Sequence, residues 1–216
     1  MTSRDKRVFE ASNIFEPIEQ EVYIHKVKVL NMEDSKRVFT SFAFGRDCEM
    51  RLKYEEWVTK ISKLCCGVPL VLKVCGALLK GEMNLDVWED VERKLTCGGM
   101  LDDKNILSCL RISYDSLVEK EKKMFLDIAC ALLGESEDIG ICIWRSQEWE
   151  PRLGIRNLKK KALIAVDEKG CFTMHDHLRD MGREIERVEA GDSIRRLWMP
   201  KSLSLLKEKK VLIFNA

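Results

Sequence analysis

In the stretch CFTMHDHLRDMGREI, from Cys171 to Ile185, two of the chain's three histidines flank one carboxylate, and a thiol lies four residues before the first of them. These residue types could hold a metal, run nucleophilic catalysis, contact an anion or begin a helix. Zinc would need Cys171, His175 and His177 on one side, but a strand sends alternate side chains to opposite faces and a helix start breaks that alternation. No Cys-x-x-Cys occurs in the chain to complete four ligands. Nucleophilic catalysis needs a thiol or hydroxyl fixed beside a base and an oxyanion site, and the sequence specifies neither. Residue types alone therefore put Met174 in the core, make Asp176 the cap of the following helix, and leave His175 and His177 as surface or hydrogen-bonded residues. No catalytic residue and no metal ligand is expected, and the chain is read as not an enzyme.

Phosphate and nucleic acid are two further ligands such residues could contact. Nothing matches G-x-x-x-x-G-K-[ST] or G-x-G-x-x-G, and Gly98-Gly99 is followed by MLDD, whose carboxylates repel phosphate. Lys and Arg total 37 against 36 Asp and Glu, so no global field draws in nucleic acid or an anionic membrane. The helix from Asp176 sets Asp176, Asp180, Glu184, Glu186 and Glu189 against Arg179, Arg183 and Arg187, and nucleic acid is not an expected partner of the chain. Lys159 to Lys161 are more basic and read as a solvated face. DNA binding stays as the alternative function.

The elements that must position these residues are mostly helical. With 216 residues, 45% of them hydrophobic, the chain can bury a real core. Nine irregularly spaced cysteines suit reduced thiols in a cytoplasmic or nuclear compartment, and neither a signal peptide nor a membrane span is indicated. Val22 to Leu30 reads as a short strand or extended linker. Asn31 caps a helix with Val38, Phe39, Phe42 and Ala43 on one face, ending at Gly45. Tyr54, Trp57, Val58, Ile61, Leu64 and Cys65 make a second stripe, ended by Gly67. Pro69 opens a third helix and Asn84 caps a fourth, with Val87, Trp88, Val91 and Leu95 inward. A second unit follows: helices through Ser113, Met124 to Leu132 and Ile139 to Trp144, then a helix that turns into a strand at Leu163 to Val166. DEKG is the turn of a hairpin, and Leu178, Met181, Ile185 and Val188 mark the buried face of a last helix. The expected fold is mainly α, a small helical bundle followed by a winged-helix domain with one β-hairpin.

Read in order, these motifs resemble the plant NB-ARC disease resistance proteins of the branch that carries a TIR domain. GVPLVL is similar to the family's Gly-Leu-Pro-Leu-Ala-Leu element, LRISYDSLVEKEKKMFLDIAC to the signature of the TIR branch, and Met174, His175 and Asp176 to its Met-His-Asp motif. RRLW, from Arg195 to Trp198, resembles the stretch after the winged helix, and TSRD, from Thr2 to Asp5, the end of the nucleotide-binding subdomain. The resemblance implies four segments: a remnant of that subdomain and linker at 1–30, an ARC1-like bundle at 31–100, an ARC2-like winged helix at 101–190 and a tail at 191–216.

It also implies a regulatory module of an ADP/ATP-dependent switch in an intracellular immune receptor. His175 would approach the β-phosphate of ADP, Asp176 would orient that histidine, Pro69 would line the adenine with Gly67 and Leu70 setting the turn, and Arg4 would sense phosphate. The P-loop and acidic magnesium-binding strand of the family are not in this sequence, so weak or no ADP and ATP binding is expected of the chain alone. Its implied partners are nucleotide-binding, TIR and leucine-rich-repeat domains, in a receptor that can oligomerise. A nucleotide-independent adaptor or decoy is a further alternative.

Overall fold

The computed structural model describes residues 27–97 and 103–190. Arg4, the Thr2 to Asp5 element, Gly98-Gly99, Arg195 to Trp198 and the tail lie outside the described residues.

Asn31 accepts the Asp34 backbone N–H at 2.8 Å and starts α1 (Met32–Ala43), which buries Phe39 and Ala43. Of the two readings for the preceding stretch, the extended one holds for residues 27–30. Val27 and Val29 are exposed there, and the Leu30 N–H donates to the Gly67 carbonyl at 2.9 Å. A short helix that the stripes did not announce, α2 (Cys48–Lys53), is capped by Asp47 and leads through Tyr54 into α3 (Glu55–Leu64). Pro69 takes the first position of α4 (Pro69–Leu78), where a missing N–H costs nothing. Asn84 Oδ1 then receives the Asp86 N–H at 3.0 Å at the start of α5 (Leu85–Cys97).

Trp88 of α5 organises this bundle. Its ring stacks on Tyr54 at 4.9 Å and on Phe44 at 5.8 Å and meets Phe39 edge-on at 6.2 Å. Both polar tips are satisfied, Tyr54 Oη donating to the Met83 carbonyl at 2.8 Å and Trp88 Nε1 to that of Glu82 at 3.1 Å. Removing so large a buried ring typically costs about 3–5 kcal/mol.

Helix α6 (Asp103–Asp115) packs on α4 and α5 at one side and on the last helix at the other, so one continuous core runs through the chain. The second unit runs α7 (Glu119–Asp127), a π-helical turn (Ile128–Leu132), α8 (Glu137–Arg145), α9 (Pro151–Lys160), β1 (Ala165–Val166), β2 (Phe172–Thr173) and α10 (Asp176–Ala190). The antiparallel pair aligns Ala165 with Thr173 and Val166 with Phe172. The chain between α7 and α8 adds a third line of pairing: the Phe172 N–H reaches the Glu135 carbonyl at 2.9 Å and the Gly134 N–H reaches that of Phe172 at 2.8 Å. Three helices, then a hairpin whose second strand is also paired by the first interhelical segment, is winged-helix topology.

Several local expectations change. Leu163 and Ile164 are both buried, so the switch to period two begins only with β1. Val188 is exposed, because α10 covers its core with Leu178, Met181 and Ile185 and ends that contact before Val188. Gly182 allows α10 to lie on the π-helical turn, since a Cβ there would stand 2.6 Å from Ala129 Cβ. The Ala129 carbonyl, which a π turn takes out of the ordinary ladder, receives Arg183 Nε at 3.4 Å. No described helix is long and apolar enough to cross a membrane.

Candidate functional site

Gly67 adopts φ +71°, and a Cβ placed on it would stand 2.2 Å from the Leu30 carbonyl oxygen. Only glycine fits this close approach, which turns the chain from α3 into α4. The turn sets Val68, Pro69 and Leu70 along one wall of a cleft of about 570 Å³, and the β1 to α10 connection forms the facing wall with Thr173, Met174, His175 and His177. Val38 and Phe42 of α1 and Leu163 and Ile164 close it with apolar surface.

The structure therefore brings Pro69, Leu70 and His175 together across more than a hundred residues of sequence. Gly67 shapes this wall from behind rather than lining it. Asp176 does not line the cleft; its carboxylate pairs with Arg179 at 2.9 Å. Nor does Asp176 cap α10. The His175 carbonyl accepts the Leu178 and Arg179 N–H groups at 2.9 and 3.0 Å, which makes His175 the N-cap, and its Nδ1 accepts the His177 N–H at 3.2 Å. The cap moves one residue upstream because the imidazole itself supplies the acceptor. An accepting Nδ1 puts the proton of a neutral ring on Nε2, the nitrogen that can donate to an anion.

Two further residues line the cleft: His177, which the sequence leaves as a surface or hydrogen-bonded residue, and Lys73, to which it assigns no role. His177 stacks on His175 with ring centroids 5.5 Å apart and planes within 9°. Lys73 lies one turn after Pro69 on the same helix face, and its Nζ stands 5.7 Å from the centre of the Phe42 ring. The four-residue step from Pro69 was the available signal for Lys73. His177 offered none beyond its place beside the cap.

Among the described residues the ionisable lining consists of Lys73, His175 and His177, with no carboxylate. The first turns of α4 and α10 also meet there, each with the partial positive charge of a helix N-terminus. An apolar cleft of this size with basic groups in its lining suits a ligand that has an apolar body and an anionic group. Among the described residues no group of His, Cys, Asp and Glu is arranged to hold a metal ion.

Comparison with known proteins agrees with the winged-helix order of α7 to α10. Residues 118–190 match the family described as Disease resistance protein Roq1-like, winged-helix domain. The chain is 32% identical over 204 residues to TMV resistance protein N of Nicotiana glutinosa, a match covering 94% of this chain and 17% of that protein. It is 33% identical over 201 residues to Disease resistance protein RUN1 of Vitis rotundifolia, covering 92% and 14%, and 31% identical over 210 residues to Disease resistance protein RRS1 of Arabidopsis thaliana, covering 96% and 14%. The chain thus spans less than a fifth of the length of these relatives.

Proposed function

Residues 118–190 belong to the winged-helix domain of Roq1-like disease resistance proteins and the whole chain is a relative of plant resistance proteins; on that premise we propose that it is the regulatory module of an immune receptor switched by ADP and ATP. The observation that carries the reading is the meeting of Pro69, Leu70 and His175 in one cleft whose ionisable lining, among the described residues, is basic.

In this reading the apolar wall of Val38, Phe42 and Pro69 takes the adenine, and His175 Nε2 donates to a phosphate oxygen. A ligand that touches both α4 and α10 stabilises the arrangement in which bundle and winged helix stand as they do here. Exchange for a ligand with different contacts shifts the balance between arrangements. The module is not an enzyme; it senses the nucleotide, and a nucleotide-binding domain with its P-loop supplies most of the phosphate affinity. Alone, the chain binds ADP weakly or not at all.

The test joins this chain to the nucleotide-binding subdomain of a related receptor and measures the ADP that stays bound through purification. Wild type should retain ADP and His175→Ala should lose most of it, with the fold intact by circular dichroism. Equal retention by the two proteins would overturn the role of His175, and no nucleotide in either would overturn the switch reading.

A further inference from the structure

The winged-helix order places α9, and not the helix that starts at Asp176, in the third-helix position that such folds present to a groove. The charge on that helix is the reverse of the charge on α10. Arg152, Arg156, Lys159 and Lys160 fall at steps of four, three and one, on a single face, and all four are exposed. Among the described residues none of them is ion-paired with a carboxylate, whereas α10 ties Arg179 to Asp176 and Asp180 and Arg187 to Glu184. Four unpaired cations on one face hold no structure together, so the fold itself does not require them.

We propose that this face of α9, formed by Arg152, Arg156, Lys159 and Lys160, binds the phosphate backbone of duplex nucleic acid. The side chains surround a shallow cleft of about 410 Å³ in which, among the described residues, Glu137 is the single acidic lining residue. The helix is about as wide as the major groove, and cations spread over two turns reach phosphates on its walls.

A protein partner fits this face less well. A stable protein interface needs an apolar centre, and Leu153 is the one exposed large apolar residue on α9. Base reading is not provided either. Asn157, the amide that could read a base, donates Nδ2 to the nearly buried Glu121 at 2.7 Å and is turned inward. Lys161 is likewise directed to Ser116 Oγ at 3.0 Å. The wing adds no attraction, because Glu168 balances Lys169 and the Asp167 carboxylate is engaged by the Lys169 and Cys171 N–H groups. The binding is therefore to the backbone, without sequence preference and strongly weakened by salt.

Fluorescence anisotropy of the full chain with a labelled duplex of about two helical turns tests the proposal. With four phosphate contacts, affinity should fall on the order of 100-fold between about 50 and 200 mM salt. A variant carrying R152Q, R156Q, K159Q and K160Q should lose binding at least about ten-fold at low salt and flatten the salt dependence. A control with the same loss of charge on the bundle, K28Q, K53Q, K63Q and K80Q, should bind like wild type. Arg156→Glu alone should weaken binding in the same direction, and thermal melts of all variants should coincide because the residues are exposed. Equal binding by the two four-site variants would overturn the proposal, as would displacement of the duplex by polyglutamate as readily as by unlabelled duplex. A strong preference between two unrelated duplexes would overturn the backbone-only mode.

Discussion

His175 Nδ1 accepts the backbone N–H of His177 at 3.2 Å, so the residue that faces the cleft is also the one that starts α10. One side chain thus serves the fold with one nitrogen and the cleft with the other. Stability and ligand sensing are joined at this point, and a substitution can separate them.

Asparagine is among the best N-cap residues, so His175→Asn should keep the stability of α10 while removing the imidazole from the cleft. His175→Ala removes both and should cost about 1 kcal/mol. In a chain of this length that corresponds to a melting temperature lower by about 2–4 °C. Thermal melts of the two variants check the separation. A His175→Asn protein as unstable as His175→Ala would mean that the Nδ1 bond does not cap the helix.

Gly67 and Gly45 both have positive φ, at +71° and +61°, but only Gly67 has no space for a side chain. Gly45→Ala should therefore cost about 1–2 kcal/mol from backbone strain alone. Gly67→Ala adds a collision with the Leu30 carbonyl and should cost clearly more, with loss of hydrogen-exchange protection at the Leu30 amide. Equal melting temperatures for the two variants would remove the close approach from the account.

Val188 separates what was legible in sequence from what was not. The helical stripe Leu178, Met181 and Ile185 fixes the period of α10 and its buried face, but the period continues past the point where the helix leaves its neighbours. Val188→Lys should therefore change stability by no more than about 0.5 kcal/mol. Ile185→Ala should cost about 2–5 kcal/mol. Denaturant melts that reversed this order would mean that α10 is packed differently.

The same distinction runs through the site. Periodicity and caps give Asn31, Pro69 and Asn84 their places, because those signals act within one turn of helix. The presence of Pro69 and Lys73 in one cleft with His175 and His177 depends on α6 holding the two units together, and no local pattern encodes it. The cap lies at His175, one residue before the expected Asp176, because an imidazole takes the acceptor role that a carboxylate more commonly fills. The long charged helix α10 is conspicuous in sequence, whereas the order of the elements gives the groove position to α9.

The buried thiols set a last expectation. Burial pushes the Cys109 thiol up to about 12, and Cys65 is raised as well, first by its hydrogen bond with Cys75 and then by burial. At pH 8 iodoacetamide should modify the exposed Cys48, Cys66 and Cys142 and spare Cys65 and Cys109 until the protein unfolds. The same shift links stability to pH. Between the ordinary thiol value of 9.0 and about 12 the unfolded chain releases the Cys109 proton that the folded chain keeps, so the folded state binds more protons and stability falls as pH rises. Lys161 acts in the opposite sense, because burial lowers it and the folded state gives up its proton first. The Cys109 contribution is read as the difference between wild type and Cys109→Ala, in which Lys161 cancels. That difference should be constant below pH 9 and move against wild type above it; a difference that stayed flat to pH 11 would place Cys109 in contact with water.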